Sequence, residues 1–137
     1  MNIHRHIFSL LICFLLAFSS CTKNHDPATS SITPIETVGL LNNDFAILID
    51  VREQVEIESG MADGAMWMPS SAATEDNPRW RSFVEGLDKN KEIVLYCKSG
   101  GRAGQVAKKL SALGFKTRNM GGYSAWVSAG LPVTNPN

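Results

Sequence analysis

Apolar residues come in short blocks along most of this chain, and the spacing inside each block predicts an element. Thr33-Pro34-Ile35-Glu36 has the marks of a helix start: a capping threonine, a proline at the first helical position and a glutamate placed for a capping box. Ile35, Val38 and Leu40 or Leu41 then form one apolar face, and Asn42-Asn43 ends it. Phe45-Ala46-Ile47-Leu48-Ile49 is a continuous apolar run closed by Asp50, the pattern of a strand buried on both faces. Ala65-Met66-Trp67-Met68 predicts a second strand, stopped by Pro69, and residues 70–77 form a polar loop. Asn77-Pro78 opens a helix with Trp80, Phe83, Val84 and Leu87 on its inner face. Ile93-Val94-Leu95-Tyr96 is the clearest strand and runs into Cys97. Val106, Leu110 and Leu113 mark a helix from about Arg102, with Gly114 as its left-handed cap. A last strand over 117–120 and a short helix over 123–129 complete the pattern, and Gly130 and Pro132 end it. Strands alternating with helices predict an α/β fold around a mainly parallel sheet.

The first twenty residues break this rhythm. His4, Arg5 and His6 are followed by an apolar stretch from Ile7 to Phe18 interrupted only by Ser9. A bilayer-spanning helix needs about 20 apolar residues. The stretch is too short for that and has the length of a signal-peptide core. Phe18-Ser19-Ser20-Cys21 then resembles a bacterial lipobox, which implies cleavage before Cys21 and acylation of its thiol. Several acyl chains on one cysteine anchor firmly, since each buried methylene contributes about 0.8 kcal/mol. The predicted organisation is a signal peptide over 1–20, a lipid-anchored polar tether over 21–31 and one domain over 32–134. Thr22, where aspartate is absent, implies by the same resemblance a place in the cell envelope at the outer membrane, facing the periplasm.

Composition sharpens this picture mainly by exclusion. The chain is 44% hydrophobic and 19% charged, as globular domains are. Without residues 1–20 it carries 12 basic and 13 acidic side chains, so no basic excess points to nucleic acid. Beyond Cys21 the one remaining cysteine is Cys97, which rules out a structural disulfide within the domain. The histidines are His4, His6 and His25, so the domain offers no Cys–His catalytic pair and no zinc-like ligand spacing. No glycine-rich nucleotide loop with its lysine is present, and neither metal nor cofactor is expected.

The candidate site is Cys97-Lys98-Ser99-Gly100-Gly101-Arg102, between a buried strand and a helix. Ligands of open α/β sheets bind beyond the carboxyl ends of the strands. A free thiol has a pKa of about 8.5, and helix N-termini and nearby cations lower it. Two glycines allow the backbone to curl and turn its N–H groups inward as an anion nest. Cys97 is therefore the candidate nucleophile, with Lys98, Ser99, Gly100, Gly101 and Arg102 as candidate substrate-binding residues. Plainer roles stand beside these: a small core residue for Cys97, a solvated charge for Lys98, turn formation for Ser99 and the glycines, and a clamp on backbone carbonyls for Arg102.

The residues 97–103, CKSGGRA, resemble the active-site loop of single-domain rhodanese enzymes, the thiosulfate sulfurtransferases. Asp50-Val51-Arg52-Glu53 resembles that family's DVRE motif, and Gly60-Met61-Ala62-Asp63-Gly64-Ala65 stands where the family shows GHIPGA. Trp67-Met68-Pro69, Leu113-Gly114-Phe115, Met120-Gly121-Gly122, Trp126 and Gly130-Leu131-Pro132 continue the resemblance in order. Met61 and Asp63 replace the usual histidine and proline, and Ile57 stands where an aromatic is usual. The resemblance implies a rhodanese-like fold with helices on both faces of the sheet. It also implies sulfur transfer from thiosulfate or a similar anionic donor, through a Cys97 persulfide, to a thiol or cyanide. Asp50 and Arg52 are expected to brace the sheet edge rather than touch substrate. The rival readings are a persulfide carrier or docking module with little turnover, and a phosphatase or arsenate reductase. The latter enzymes have five residues between cysteine and arginine, and this loop has four. Thiol–disulfide exchange lacks its Cys-X-X-Cys pair.

Overall fold

The computed structural model describes residues 30–136. Helix α1 spans Pro34–Asn42, and Thr33 caps it in the expected capping box with Glu36. Strand β1 (Ala46–Asp50) leads to a single helical turn, α2 (Gln54–Ile57). Strands β2 (Met61–Ala62) and β3 (Met66–Trp67) follow, then a 3-10 turn over Ser70–Ala72 and helix α3 (Pro78–Glu85). Strand β4 (Glu92–Cys97), helix α4 (Gly101–Ala112), strand β5 (Thr117–Gly122), helix α5 (Tyr123–Ser128) and strand β6 (Val133–Thr134) complete the chain.

The main sheet has the order β3-β1-β4-β5, and all its pairings are parallel. Side chains alternate across a strand, so each strand feeds two cores. Ile49, Ile93, Leu95 and Cys97 point to the α3–α4 side and pack with Trp80, Ala103, Val106 and Leu110. Leu48, Val94 and Tyr96 point the other way and pack with Ile32, Met120 and Trp126, flanked by Val38 and Leu41 of α1. This is the α/β architecture expected, with both sheet faces covered.

Local departures have simple causes. In α1 the inward position belongs to Thr37, which is fully buried, while Ile35 is 62% exposed. The threonine hydroxyl is satisfied inside the helix by donating to the Thr33 carbonyl at 2.9 Å, so it is buried at little cost. Leu113 is 46% exposed, and the inner face of α4 consists of Val106 and Leu110, as expected, with Ala103 and Ala107. Phe45 stays outside β1 and is 64% exposed. The second strand shrinks to Met66–Trp67, and an antiparallel ribbon of β2 with β6 was not predicted at all. Two-residue strands carry no periodicity for a sequence pattern to show. Finally, β1 is an interior strand, so Asp50 and Arg52 sit at the carboxyl end of the sheet and not on its edge.

The predicted signal peptide, the Cys21 lipidation site and most of the tether lie outside the described residues. Among the described residues no helix is long and apolar enough to cross a membrane.

Candidate active site

Strand β4 ends at Cys97, and the chain turns through Lys98, Ser99 and Gly100 into α4. Gly100 makes the turn with φ at +94°, a left-handed conformation that glycine adopts without strain. It is the N-cap of α4 but has no side chain to cap with. The Cys97 sulfur takes that place, 3.0 Å from the Gly100 amide. Burial is the largest influence on the thiol and pushes its pKa up. The amides of Ala103, Ser99, Gly100 and Arg102 act together in the opposite direction, and the net result lies below the ordinary thiol value. The amides that lower it are those of Ser99, Gly100 and Arg102 from the expected nest, joined by Ala103 one residue beyond it. Cys97 is only 1% exposed, so the sulfur lies at the floor of its loop.

The loop is braced from β5. Cys97 pairs with Gly122 in the sheet register. A side chain on Gly122 would put its Cβ 2.6 Å from the Lys98 carbonyl oxygen, so only glycine lets the loop pass this closely. Asn119 donates from Nδ2 to the Gly100 carbonyl at 2.9 Å and accepts from the Gly121 amide at 2.9 Å.

Each candidate cation has a distinct setting. Arg102 forms a bidentate pair with Glu56, at 2.6 and 2.8 Å, and so clamps α4 to α2 through a carboxylate, not through backbone carbonyls. That pairing draws the Glu56 carboxyl down to about 2, against an upward push from burial, with a lesser contribution from the Glu53 amide. Arg52 is buried and fully engaged. Its Nε contacts both Asp50 oxygens at 3.1 and 3.0 Å, and Nη2 donates to Asp50 and to the Gly60 carbonyl, each at 2.7 Å. Nη1 donates to the Glu56 carbonyl at 3.1 Å. Its guanidinium also stacks 3.9 Å from the Tyr123 ring centroid. The Lys98 ammonium, by contrast, has no hydrogen bond or ion pair among the described residues.

A cleft of about 570 Å³ opens beside the loop. Lys98, Tyr123, Ser124, Arg52, Glu56 and Val127 contribute to its walls. Ser99 and Gly101 are exposed. Asp50 is buried under Arg52 and does not reach the cleft lining. Among the described residues no group of histidine, cysteine, aspartate or glutamate side chains is arranged to hold a metal ion.

With this geometry in place, comparison with known proteins is decisive at the level of family. The model of the rhodanese-like domain matches residues 33–129. The chain belongs to the rhodanese-like family. A rhodanese-like domain-containing protein of Arabidopsis thaliana is 32% identical over 142 aligned positions, covering 97% of this chain and 90% of that protein. A sulfurtransferase of Allochromatium vinosum is 29% identical over 99 positions, covering 71% of this chain and 86% of its own. A solved rhodanese-related protein from Thermoplasma volcanium superposes with a TM-score of 0.65 at 25% identity, covering 78% of this chain and 99% of that one. The family is thus one with members named as sulfurtransferases. Within this rhodanese-like domain the turn at Met61 and Asp63 is intact despite its altered sequence. Gly64 adopts φ of +77°, and the Ala65 amide donates to Ala62 at 3.1 Å.

Glu56 and Asn119 were not singled out from the sequence. Glu56 lies 46 residues from Arg102, and Asn119 lies 19 from Gly100. No local pattern links either pair, although a glutamate three residues after DVRE and an asparagine before Met120-Gly121-Gly122 are both visible in the chain.

Proposed function

We propose that this protein is a thiosulfate-type sulfurtransferase that carries sulfane sulfur as a persulfide on Cys97. The observation that carries the reading is a buried thiol at a helix N-terminus, held toward its anionic form by four backbone amides. The Cys97 thiolate attacks the outer sulfur of thiosulfate. A Cys97 S–S bond forms, the thiosulfate S–S bond breaks, and sulfite leaves with the bonding electron pair. The terminal sulfur of the persulfide is anionic, and the same amides stabilise it. An acceptor thiolate or cyanide then attacks that sulfur, and the electron pair returns to Cys97 as thiolate. This is covalent catalysis in two half-reactions, for which ping-pong kinetics are expected.

The charges around the cleft support an anionic donor held by Lys98. Arg102 and Arg52 are already engaged with carboxylates, which leaves Lys98 as the cation on the cleft wall able to meet a sulfonate end. Ser99, Gly100, Gly101 and Arg102 then shape the seat for the transferred sulfur, and Asp50 with Arg52 supports it from below. The four residues between Cys97 and Arg102 argue against a phosphatase or arsenate reductase, whose loops hold five and so leave room for a tetrahedral oxyanion.

One observation favours a second reading, a persulfide carrier for a bulky acceptor. The cleft of about 570 Å³ is far larger than a five-atom donor requires and lies in the range of sites for organic ligands. In both readings the domain works in the cell envelope, tethered by a lipid on Cys21. That location rests on the residue pattern of the first 21 positions.

The test is sulfur transfer from thiosulfate to cyanide, beside a Cys97→Ser variant and with an aryl phosphate as parallel substrate. Thiocyanate formation that vanishes in the variant, without phosphate release, is the expected result. A folded, reduced protein silent toward thiosulfate would remove the simple enzyme reading and favour the carrier. Palmitate labelling lost in Cys21→Ser tests the anchor.

A further inference from the structure

The hydrogen bonds of the loop leave one question of cause. Gly100 has no side chain, so within the chain segment itself only the first helical bond, from the Gly104 amide at 2.9 Å, bears on the direction of its carbonyl. The Arg102 and Ala103 amides follow directly after that carbonyl, and they reach the sulfur only if the peptide group between Gly100 and Gly101 is correctly turned. A second partner, from outside the loop, holds that carbonyl as well.

Asn119 is placed to do so. It lies in β5 opposite Leu95, whose side chain faces α4. The β4–β5 register then slips, so that Tyr96 pairs with Gly121, and Met120 is the extra residue on β5. Such a bulge re-aims the side chains beside it. The Asn119 carboxamide is held at both ends: Oδ1 accepts from the Gly121 amide, and Nδ2 donates to the Gly100 carbonyl. Turning the amide over would set two donors together and two acceptors together, so this network admits one orientation. The Gly100 carbonyl also accepts the first helical bond, from the Gly104 amide at 2.9 Å. Both of its lone pairs are thereby used. On the far side, the Asn119 backbone is secured by Ser30 and Ile32, through bonds of 3.0 and 3.2 Å.

We propose that Asn119 is a positioning residue for Cys97: its carboxamide sets the Gly100 carbonyl and so aims the amides of α4 at the sulfur. It touches neither donor nor acceptor. Its effect on sulfur transfer rests on the persulfide reading above, but its effect on the thiol does not.

The experiment therefore reads the thiol itself. The full chain is alkylated with iodoacetamide over a range of pH, and modification of the Cys97-bearing tryptic peptide is followed by mass spectrometry. In Asn119→Ala the midpoint of the rate profile is expected to rise by about half a pH unit or more, as loss of hydrogen bonds to a thiolate requires. Should that variant fail to fold, Asn119→Leu keeps the side-chain volume and is read the same way. Asn119→Gln, with both polar groups on a longer arm, is expected to recover part of the shift. Leu110→Ala, a cavity in the same helix away from the loop, controls for general destabilisation. With thiosulfate, kcat is expected to fall about tenfold while KM stays within about twofold, as for an interaction that acts on the nucleophile rather than on donor binding. An unchanged alkylation midpoint in a folded Asn119 variant, or an equal shift in Leu110→Ala, overturns the proposal. A shifted midpoint in a protein inactive toward thiosulfate would uphold it while removing the sulfurtransferase reading.

Discussion

Tyr96 and Cys97 are neighbours at the end of β4, both are buried, and both carry a weakly acidic proton. They point to opposite faces of the sheet, and their acidities move in opposite directions. Around Tyr96, burial and then the nearby Asp50 carboxylate favour the neutral phenol and push its pKa well up. Its oxygen serves the fold, accepting from the Ala62 amide at 3.0 Å. Around Cys97, burial exerts the same upward push, but the loop and the first turn of α4 together supply four amides that outweigh it. Burial alone therefore does not decide ionisation here. What decides it is whether the donors arrive with the backbone.

The comparison breaks at its root if Cys97 is replaced. Cys97→Ser is expected to lower thiosulfate–cyanide sulfur transfer by at least about a thousandfold, because no persulfide can form, with thermal melting little changed. Gly122→Ala tests the packing under the loop. A Cβ there would lie 2.6 Å from the Lys98 carbonyl. The loop must shift, and a cost of about 2 kcal/mol in stability is expected along with about a hundredfold loss of activity. Circular dichroism melts and initial rates measure the two separately.

Ionisation itself supplies a sharper test. A reference cysteine loses about tenfold in thiolate for each pH unit below about 8.5. Alkylation of Cys97 is expected to hold its rate further into acid than a cysteine peptide does, since the folded thiol is lowered. Equal profiles for the two would remove the distinction from Tyr96. Glu56→Gln is expected to reduce kcat about tenfold or less, through a looser Arg102. It also changes the acid limb of stability. The folded Glu56 carboxyl is depressed to about 2, so its contribution is present above the ordinary carboxylate pKa and is lost as pH falls through about 2. Denaturant midpoints taken from pH 6 downward are expected to fall less steeply in the variant. Tyr96→Phe has the smallest expected effect on activity, within about twofold, and costs about 1 kcal/mol of stability for the Ala62 amide left without its acceptor. A large loss of activity in this variant would show that the two faces are coupled.

How much of this was legible beforehand depends on the range of the interaction. The strand at 93–96, the capped start of α1 and the left-handed Gly114 are local patterns, and each appears where its residues predicted it. The inner faces of α1 and α4 depart from the hydrophobic pattern at Ile35 and Leu113, because small residues and a threonine whose hydroxyl is satisfied within its helix are buried in their place. The ribbon of β2 with β6 joins residues some seventy positions apart and was invisible. At the site, a strand ending in a cysteine before two glycines and a helix is a local pattern. The carboxylate that holds Arg102 and the carboxamide that holds Gly100 come from other elements.

By itself the sequence determined the α/β alternation, the family resemblance and the position of the one thiol in the domain. These depend on periodicity and on short motifs, which neighbouring residues carry together. Only the tertiary structure decided which cations are engaged, where the cleft opens and which amides reach the sulfur. Those depend on the sheet register, and β5 slips by one residue against β4 between Leu95 and Tyr96. That slip sets Asn119 over the loop and Gly122 against Lys98, a juxtaposition that no stretch of the chain contains within itself.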